Sequence, residues 1–405
     1  MKVVHLTAYR QGGAGSAAFR IHRAMRELGV DSHYLALDVS DDSELGYIGI
    51  PKRYLRFYER VLMKVNRPVT AQQKHQLFCE QMQANVFYSS LETDHLVEQN
   101  ESVRKADIVH LHWTSGLINW NRFFPSISKP IVWTLHDMHS FLGGFHYSTD
   151  QNRAPQALQS HNETVIKQQA SLIGSAQNLS IVCPSQWLSK LAGDSFVHKN
   201  HPNLSIANGL DSKTFKPYPQ PFARSVFNLP SDRKIIFFVA ERLDDPRKGA
   251  DLLLETLKQL DLPDEWMLVA AGAGKFDSTK LPIEYVGTVA DERLMALLYS
   301  AADLFVLPTR EDNLPNVIAE SLCCGTPVVS NAVGGVPEMI QSGVNGMLAE
   351  QVDSTSFGSA IKRAIDHSFE RKLISQAAHE VYSDIQTARR YLDTYQEALL
   401  RKVNS

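Results

Sequence analysis

The sequence predicts an α/β protein built from two doubly wound, parallel-sheet units. Three observations carry this expectation. Short β-branched or aromatic runs alternate with helical patterns along the whole chain. A stretch rich in proline, with an Asn-Gly turn, divides the chain near its middle. A glycine loop closes the first strand and opens a helix, the arrangement that doubly wound sheets use at their ligand end.

In the first half the strands are read at VVHL (3–6), SHYLAL (32–37), DIVHLHW (107–113), PIVWTLHD (130–137) and SIVCPS (180–185). In the second half they recur at KIIFFVAE (234–241), EWMLVAAG (265–272), IEYVG (283–287), DLFVLPT (303–309) and TPVVS (326–330). ANGLDSKTFKPYPQP (207–221) lies between the two sets and reads as a linker. The domains are therefore expected at 1–206 and 207–384, facing each other across a cleft with ligands at the strand carboxyl ends. The last helical stretch, about 385–405, is long enough to pack back onto the first domain.

The 405 residues suffice for two or three cores. A formal net charge of −3 argues against a nucleic-acid partner. Four cysteines without a C-x-x-C spacing read as reduced thiols. The first apolar run is too short for a secretory signal, and no run is long enough to span a bilayer. A cytoplasmic location is expected. The basic segment 51–68 places Tyr54, Leu55, Tyr58, Val61, Leu62 and Val65 at helical spacing. It reads either as a helix docked on the first domain or as a peripheral contact with the cytoplasmic face of a membrane.

QGGAGSAAFRIHRAM contains Gly13, Gly15 and Ala18 in the G-x-G-x-x-(G/A) pattern, and Asp38 follows where a ribose-binding acid would sit. The amides of Gly12 and Gly13 at a helix N-terminus suit any diphosphate. The loop thus leaves open a nicotinamide-dependent oxidoreductase, another nucleotide enzyme, or a plain tight turn.

In the second half, AERLDDPRKGADLLLETL places Arg242 and Lys248 in a loop that leads to a helix. A guanidinium and an ammonium neutralise the charge that develops on a diphosphate leaving group. TREDNLPNVIAESLCCGTPVVS then brings Glu311, Asp312 and Glu320 after a strand. These segments, in this order, resemble the retaining nucleotide-sugar glycosyltransferases of family 4, and the likeness is densest over 234–348. The resemblance implies the GT-B fold and a nucleoside-diphosphate sugar as donor. It implies a saccharide or lipid-linked acceptor, as in O-antigen, capsule or exopolysaccharide assembly.

The family carries two glutamates separated by seven residues. Here Glu320 is the second, and counting back gives Asp312, with Glu311 one position out of frame. By resemblance Glu320 binds the ribose hydroxyls, since a carboxylate can accept two hydroxyl donors. Asp312, with Asn313 and Leu314, would lie beside the donor sugar; Glu311 competes for that role but is expected at the surface. Charge complementation at a helix start is the bland alternative for both acids.

WTLHDMHSFLGGFHY puts His136 and Asp137 at a strand end and resembles the TLHD segment of polysaccharide branches of the family. That resemblance brings His136 toward the donor sugar and leaving phosphate; Asp137 and His112 are candidates for the acceptor side, His112 also for a sugar contact. His110 and His112 share a strand face, but no further ligand is evident nearby and no D-x-D occurs, so no metal and no cofactor are expected. Arg242, Lys248 and helix N-termini would supply the positive charge instead. Two rival readings remain open: the NAD-dependent oxidoreductase, and a non-catalytic binding subunit of the same fold.

Overall fold

The computed structural model describes residues 1–50, 68–174, 176, 178–275 and 280–404. The segment on which the membrane-contact expectation falls, 51–67, lies outside the described residues. The chain divides into two compact units: Met1–Ile206 joined by the chain from Thr387 on, and Ala207–Gln386.

The first unit is a seven-stranded sheet of β1 (Lys2–Leu6), β2 (Asp31–Ala36), β3 (Tyr47–Gly49), β4 (Ile108–Leu111), β5 (Ile131–Thr134), β6 (Leu179–Cys183) and β7 (Asn203–Ser205). Its order is β3-β2-β1-β4-β5-β6-β7, with every pairing parallel. The second unit is a six-stranded parallel sheet of β8 (Lys234–Arg242), β9 (Trp266–Ala273), β10 (Ile283–Gly287), β11 (Leu304–Leu307), β12 (Val328–Asn331) and β13 (Gly346–Ala349). Its order is β10-β9-β8-β11-β12-β13. The central strands β4, β5 and β11 are buried at every residue, as strands covered by helices on both faces must be. Each sheet reverses its winding at one point, β1/β4 and β8/β11, where carboxyl-end loops diverge and leave room for a ligand.

Three strands escape the sequence reading: β3, β7 and β13. They are three or four residues long and lie at or beside sheet edges. So short a run carries no period to read. The stretch 207–221 is more than a connector, because Leu210 and Phe215 are buried in the second unit's core. The helix that follows, Gln220–Val226, is locked by buried Arg224, which donates to the carbonyls of Ala301, Pro230, Ser231 and Arg233 and pairs with Asp303 at 2.8 Å.

The last helix, Asp384–Asn404, packs on the first unit through buried Tyr391, Tyr395 and Ala398. Tyr395 and Tyr391 bring their hydroxyls to His110 Nδ1 (2.6 Å) and Thr134 Oγ1 (2.8 Å), side chains on β4 and β5. Polar tips on buried aromatic bodies find partners here, so the helix is keyed to the sheet as well as greased against it.

Candidate functional site

The second unit gathers its predicted residues where β8 and β11 end. Lys248 Nζ lies 2.6 Å from Asp312 Oδ2; Arg247 Nη1 approaches the same oxygen at 3.4 Å, and the Thr309 hydroxyl donates to it at 3.4 Å. Burial alone would raise the Asp312 carboxyl, but Lys248 and Arg247 outweigh it and hold the group below the ordinary carboxylate value. Two glycines make this convergence possible. Gly249 (φ +74°) would set a Cβ 2.0 Å from the Pro308 carbonyl oxygen, and Gly334 (φ +56°) would set one 1.9 Å from the Asp312 carbonyl oxygen. Arg310 ties the same two loops by donating to the Pro246 carbonyl and pairing in a bidentate fork with Asp251.

Glu311 corrects an expectation. It is 7% exposed, not a surface acid, because its residue is drawn inward with Asp312 and its carbonyl accepts from Arg247 Nη1 at 3.1 Å. Asn313 and Leu314 are buried beside it. Glu320 sits on the helix Asn316–Cys323, where its Oε2 accepts from the Tyr299 hydroxyl at 3.1 Å. Arg242 stands apart from this cluster, on the exposed end of β8 in a bidentate pair with Asp244. Arg247 was missed by sequence reasoning. Its signal was its place between Arg242 and Lys248 in a loop already marked as cationic.

In the first unit, Gly12 and Gly13 are exposed at the start of the helix Gly12–Glu27, just beyond β1. Gly15 has a structural reason: a Cβ there would meet the Tyr9 carbonyl oxygen at 2.2 Å. Asp38 closes that loop, both its oxygens accepting from the Arg10 amide at 2.8 and 3.0 Å.

β4 and β5 deliver His112 and His136 to a small pocket that Trp113, Ser115, Asp137 and His139 also line. Asp137 is engaged by the loop itself. It accepts from Trp113 Nε1 (2.9 Å), His146 Nδ1 (2.6 Å) and the His139 amide (3.0 Å). Burial pushes its carboxyl up, yet His146, His139 and these bonds bring it down to about 2. Burial lowers His136 to about 4 against the opposing pull of Asp137, so the imidazole is neutral near pH 7.

The sequence showed His110 and His112 on one face but no third ligand. The parallel register of β1 and β4 supplies one, placing His5 opposite His110. His5, His110 and His112 offer nitrogens within 4.8 Å of one another. Both His110 nitrogens, however, are engaged, by Tyr395 at 2.6 Å and Thr134 at 2.8 Å. Ligating a cation would cost those bonds, so the trio does not fit a metal.

This architecture is matched by solved structures. It superposes on sucrose-phosphate synthase from Thermosynechococcus elongatus with a TM-score of 0.69 at 17% identity, covering 99% of this chain and 100% of that one. It superposes on Anabaena HepE in complex with UDP-glucose with a TM-score of 0.64 at 17% identity, covering 98% and 100%. The fold is therefore GT-B, two Rossmann-like domains with sheets of seven and six strands. Residues 233–367, the part that holds the Lys248–Asp312 cluster, match the family described as glycosyl transferases group 1. That segment of the chain is thus similar to group 1 glycosyl transferases. In sequence it is 28% identical over 294 residues to the D-inositol 3-phosphate glycosyltransferase of Mycolicibacterium smegmatis, covering 68% of this chain and 62% of that protein. It spans a little under two thirds of the length of such relatives.

Proposed function

We propose that this protein transfers a sugar from a nucleoside-diphosphate sugar to a saccharide or lipid-linked acceptor, with retention of anomeric configuration, in surface polysaccharide assembly. The observation that carries the reading is the Lys248–Asp312 pair with Arg247 beside it, at the switch point of the second sheet. Lys248 and Arg247 share the Asp312 carboxylate there, Arg247 also standing 4.0 Å from Asp245, and the ammonium lies at the end of the sheet where ligands bind. An ammonium has three donors. Asp312 takes one and fixes the group, and the diphosphate would be met by the ammonium so held. Asp312 in this reading acts on the donor by positioning Lys248, and Arg242 would exchange its exposed partner Asp244 for a phosphate oxygen.

Glu320 would take the ribose, with Asn313 and Leu314 beside the donor sugar and the Gly12 and Gly13 amides contributing to phosphate binding. His136 would contact the donor sugar, and His112 and Asp137 would act on the acceptor side through the loop they build. No metal or cofactor is needed, since Arg242, Lys248 and helix N-termini supply the charge. The relatives named for inositol phosphate acceptors and the UDP-glucose complex of HepE support a nucleotide-sugar donor and a hydroxyl acceptor. For the oxidoreductase alternative, Asp38 is engaged by Arg10.

Thermal shifts against UDP, GDP, ADP, their sugar conjugates and NAD test this. A ligand at ~100 times its dissociation constant adds about 2.7 kcal/mol to the unit it binds. The expected result is a shift with one nucleoside diphosphate that Glu320→Ala and Arg242→Ala remove, followed by turnover giving a product of unchanged anomeric configuration by NMR. A shift with NAD alone would overturn the reading.

A further inference from the structure

Three imidazoles form a chain that runs from the interior of the first sheet to its carboxyl end. His5 Nδ1 lies 3.1 Å from His112 Nε2, and His112 Nδ1 lies 3.3 Å from His136 Nε2. His5 stands on β1 and His112 directly after β4, while His136 follows β5, so the chain crosses three neighbouring strands. His5 and His112 are 0% and 2% exposed. Burial, with neighbouring histidines, lowers both well below the ordinary value, so neither is charged.

A contact between two neutral imidazoles needs one N–H and one lone pair. The tautomers along the chain are therefore coupled, and only two arrangements satisfy both contacts. In the first, His136 donates from Nε2 to His112 and His112 donates from Nε2 to His5. His5 then carries its proton on Nε2. In the second, His5 donates from Nδ1 to His112 and His112 donates from Nδ1 to His136. His5 Nε2 is then a lone pair, and His136 carries its proton on Nδ1.

The buried end decides between them. Among the described residues, His5 Nε2 has no hydrogen-bond partner. An orphaned buried N–H is rarer than an under-satisfied buried acceptor. We infer that His5 and His112 are positioning residues that fix His136 as its Nδ1–H tautomer, so that His136 serves its pocket as a hydrogen-bond donor through Nδ1 and not as a base. His110, though in ring contact with both at 4.9 and 4.0 Å, stands outside the chain because Tyr395 and Thr134 take its nitrogens.

The consequence for catalysis rests on the glycosyltransferase reading; the tautomer does not. The test is long-range 1H–15N correlation on 15N-histidine-labelled full-length protein at pH 7.5. His136 is expected as the neutral Nδ1–H form. His112→Leu removes the Nδ1–H that His136 Nε2 accepts, and the His136 signals should move to the other tautomer or to a mixture. His112→Asn places an amide N–H near the lost Nδ1–H and should restore the native pattern. Should sugar transfer be established, kcat should fall roughly tenfold or more in His112→Leu, with KM for the donor little changed, and recover in His112→Asn. His136 observed as Nε2–H in the native protein, or signals unmoved by His112→Leu while the fold is intact, would overturn the inference. A protein that shows the expected tautomers but transfers no sugar keeps the relay and refutes only the proposed activity.

Discussion

Lys248 Nζ and Asp312 Oδ2, 64 residues apart in sequence, meet at 2.6 Å with side chains only 20% and 11% exposed. The pair closes the loop after β8 onto the loop after β11, the two strands that flank the switch point of the second sheet. Its position makes the placing of Lys248 a consequence of the fold, and gives the opening acid of the DNLPN segment a partner rather than a solvent face.

Removing one member of such a pair leaves a buried charge without its main partner, which typically costs 3–5 kcal/mol. Arg247 at 3.4 Å and Thr309 remain to share Asp312, so Lys248→Met should destabilise the second unit by about 2–3 kcal/mol. Adding Asp312→Asn should return part of that loss, a positive coupling that denaturant unfolding of a double-mutant cycle measures. Strict additivity would mean the two groups do not support each other.

Gly334 separates backbone conformation from crowding. At φ +56° an alanine bears left-handed strain of roughly 1–2 kcal/mol, and its Cβ would also meet the Asp312 carbonyl oxygen at 1.9 Å. Gly343 has the same sign of φ, +83°, but nothing within 4 Å. Gly343→Ala should therefore cost about 1–2 kcal/mol, while Gly334→Ala should cost more than that and, on the proposed function, weaken nucleotide binding by displacing Asp312. Equal stability losses with intact binding would show that the Gly334 loop does not hold the acid in place.

How much of this was legible beforehand depended on the range of the interaction. The ten strands read from β-branched runs are present because each buries a local pattern against helices, and locality is what a sequence displays. β3, β7 and β13 owe their pairing to neighbours already in the sheet. Glu311 was expected at the surface because it falls one position out of the two-acid spacing, but its burial follows from Gly249 and Gly334 drawing the loops together. The histidine chain was partly visible, since the sequence places His112 and His136 at the ends of two strand runs. His5, 107 residues from His112, becomes its neighbour only through the β1–β4 register.

The same histidines set the acid limit of the first unit. Burial lowers His22 and His136 to about 4 and His139 and His198 to about 3, and His5, His110 and His112 lie well below the ordinary 6.5. All seven belong to the first unit. A histidine whose folded value is depressed binds fewer protons folded than unfolded once pH drops under 6.5. Its contribution to stability is present above that point and is lost as pH falls toward the folded value. Each such group costs about 1.4 kcal/mol per pH unit in that window. Carboxylates act lower: Asp137, at about 2, withdraws its contribution only as pH falls below the ordinary carboxylate value of 3.8. The melting temperature of the first unit should therefore begin to fall just under pH 6.5 and drop steeply by pH 5, ahead of the second unit, which holds none of the seven. Calorimetry between pH 7.5 and 5 reads this directly. A first-unit transition that stays level across that interval would mean these imidazoles are not held neutral in the interior, and the tautomer coupling inferred for His5, His112 and His136 would lose its physical basis.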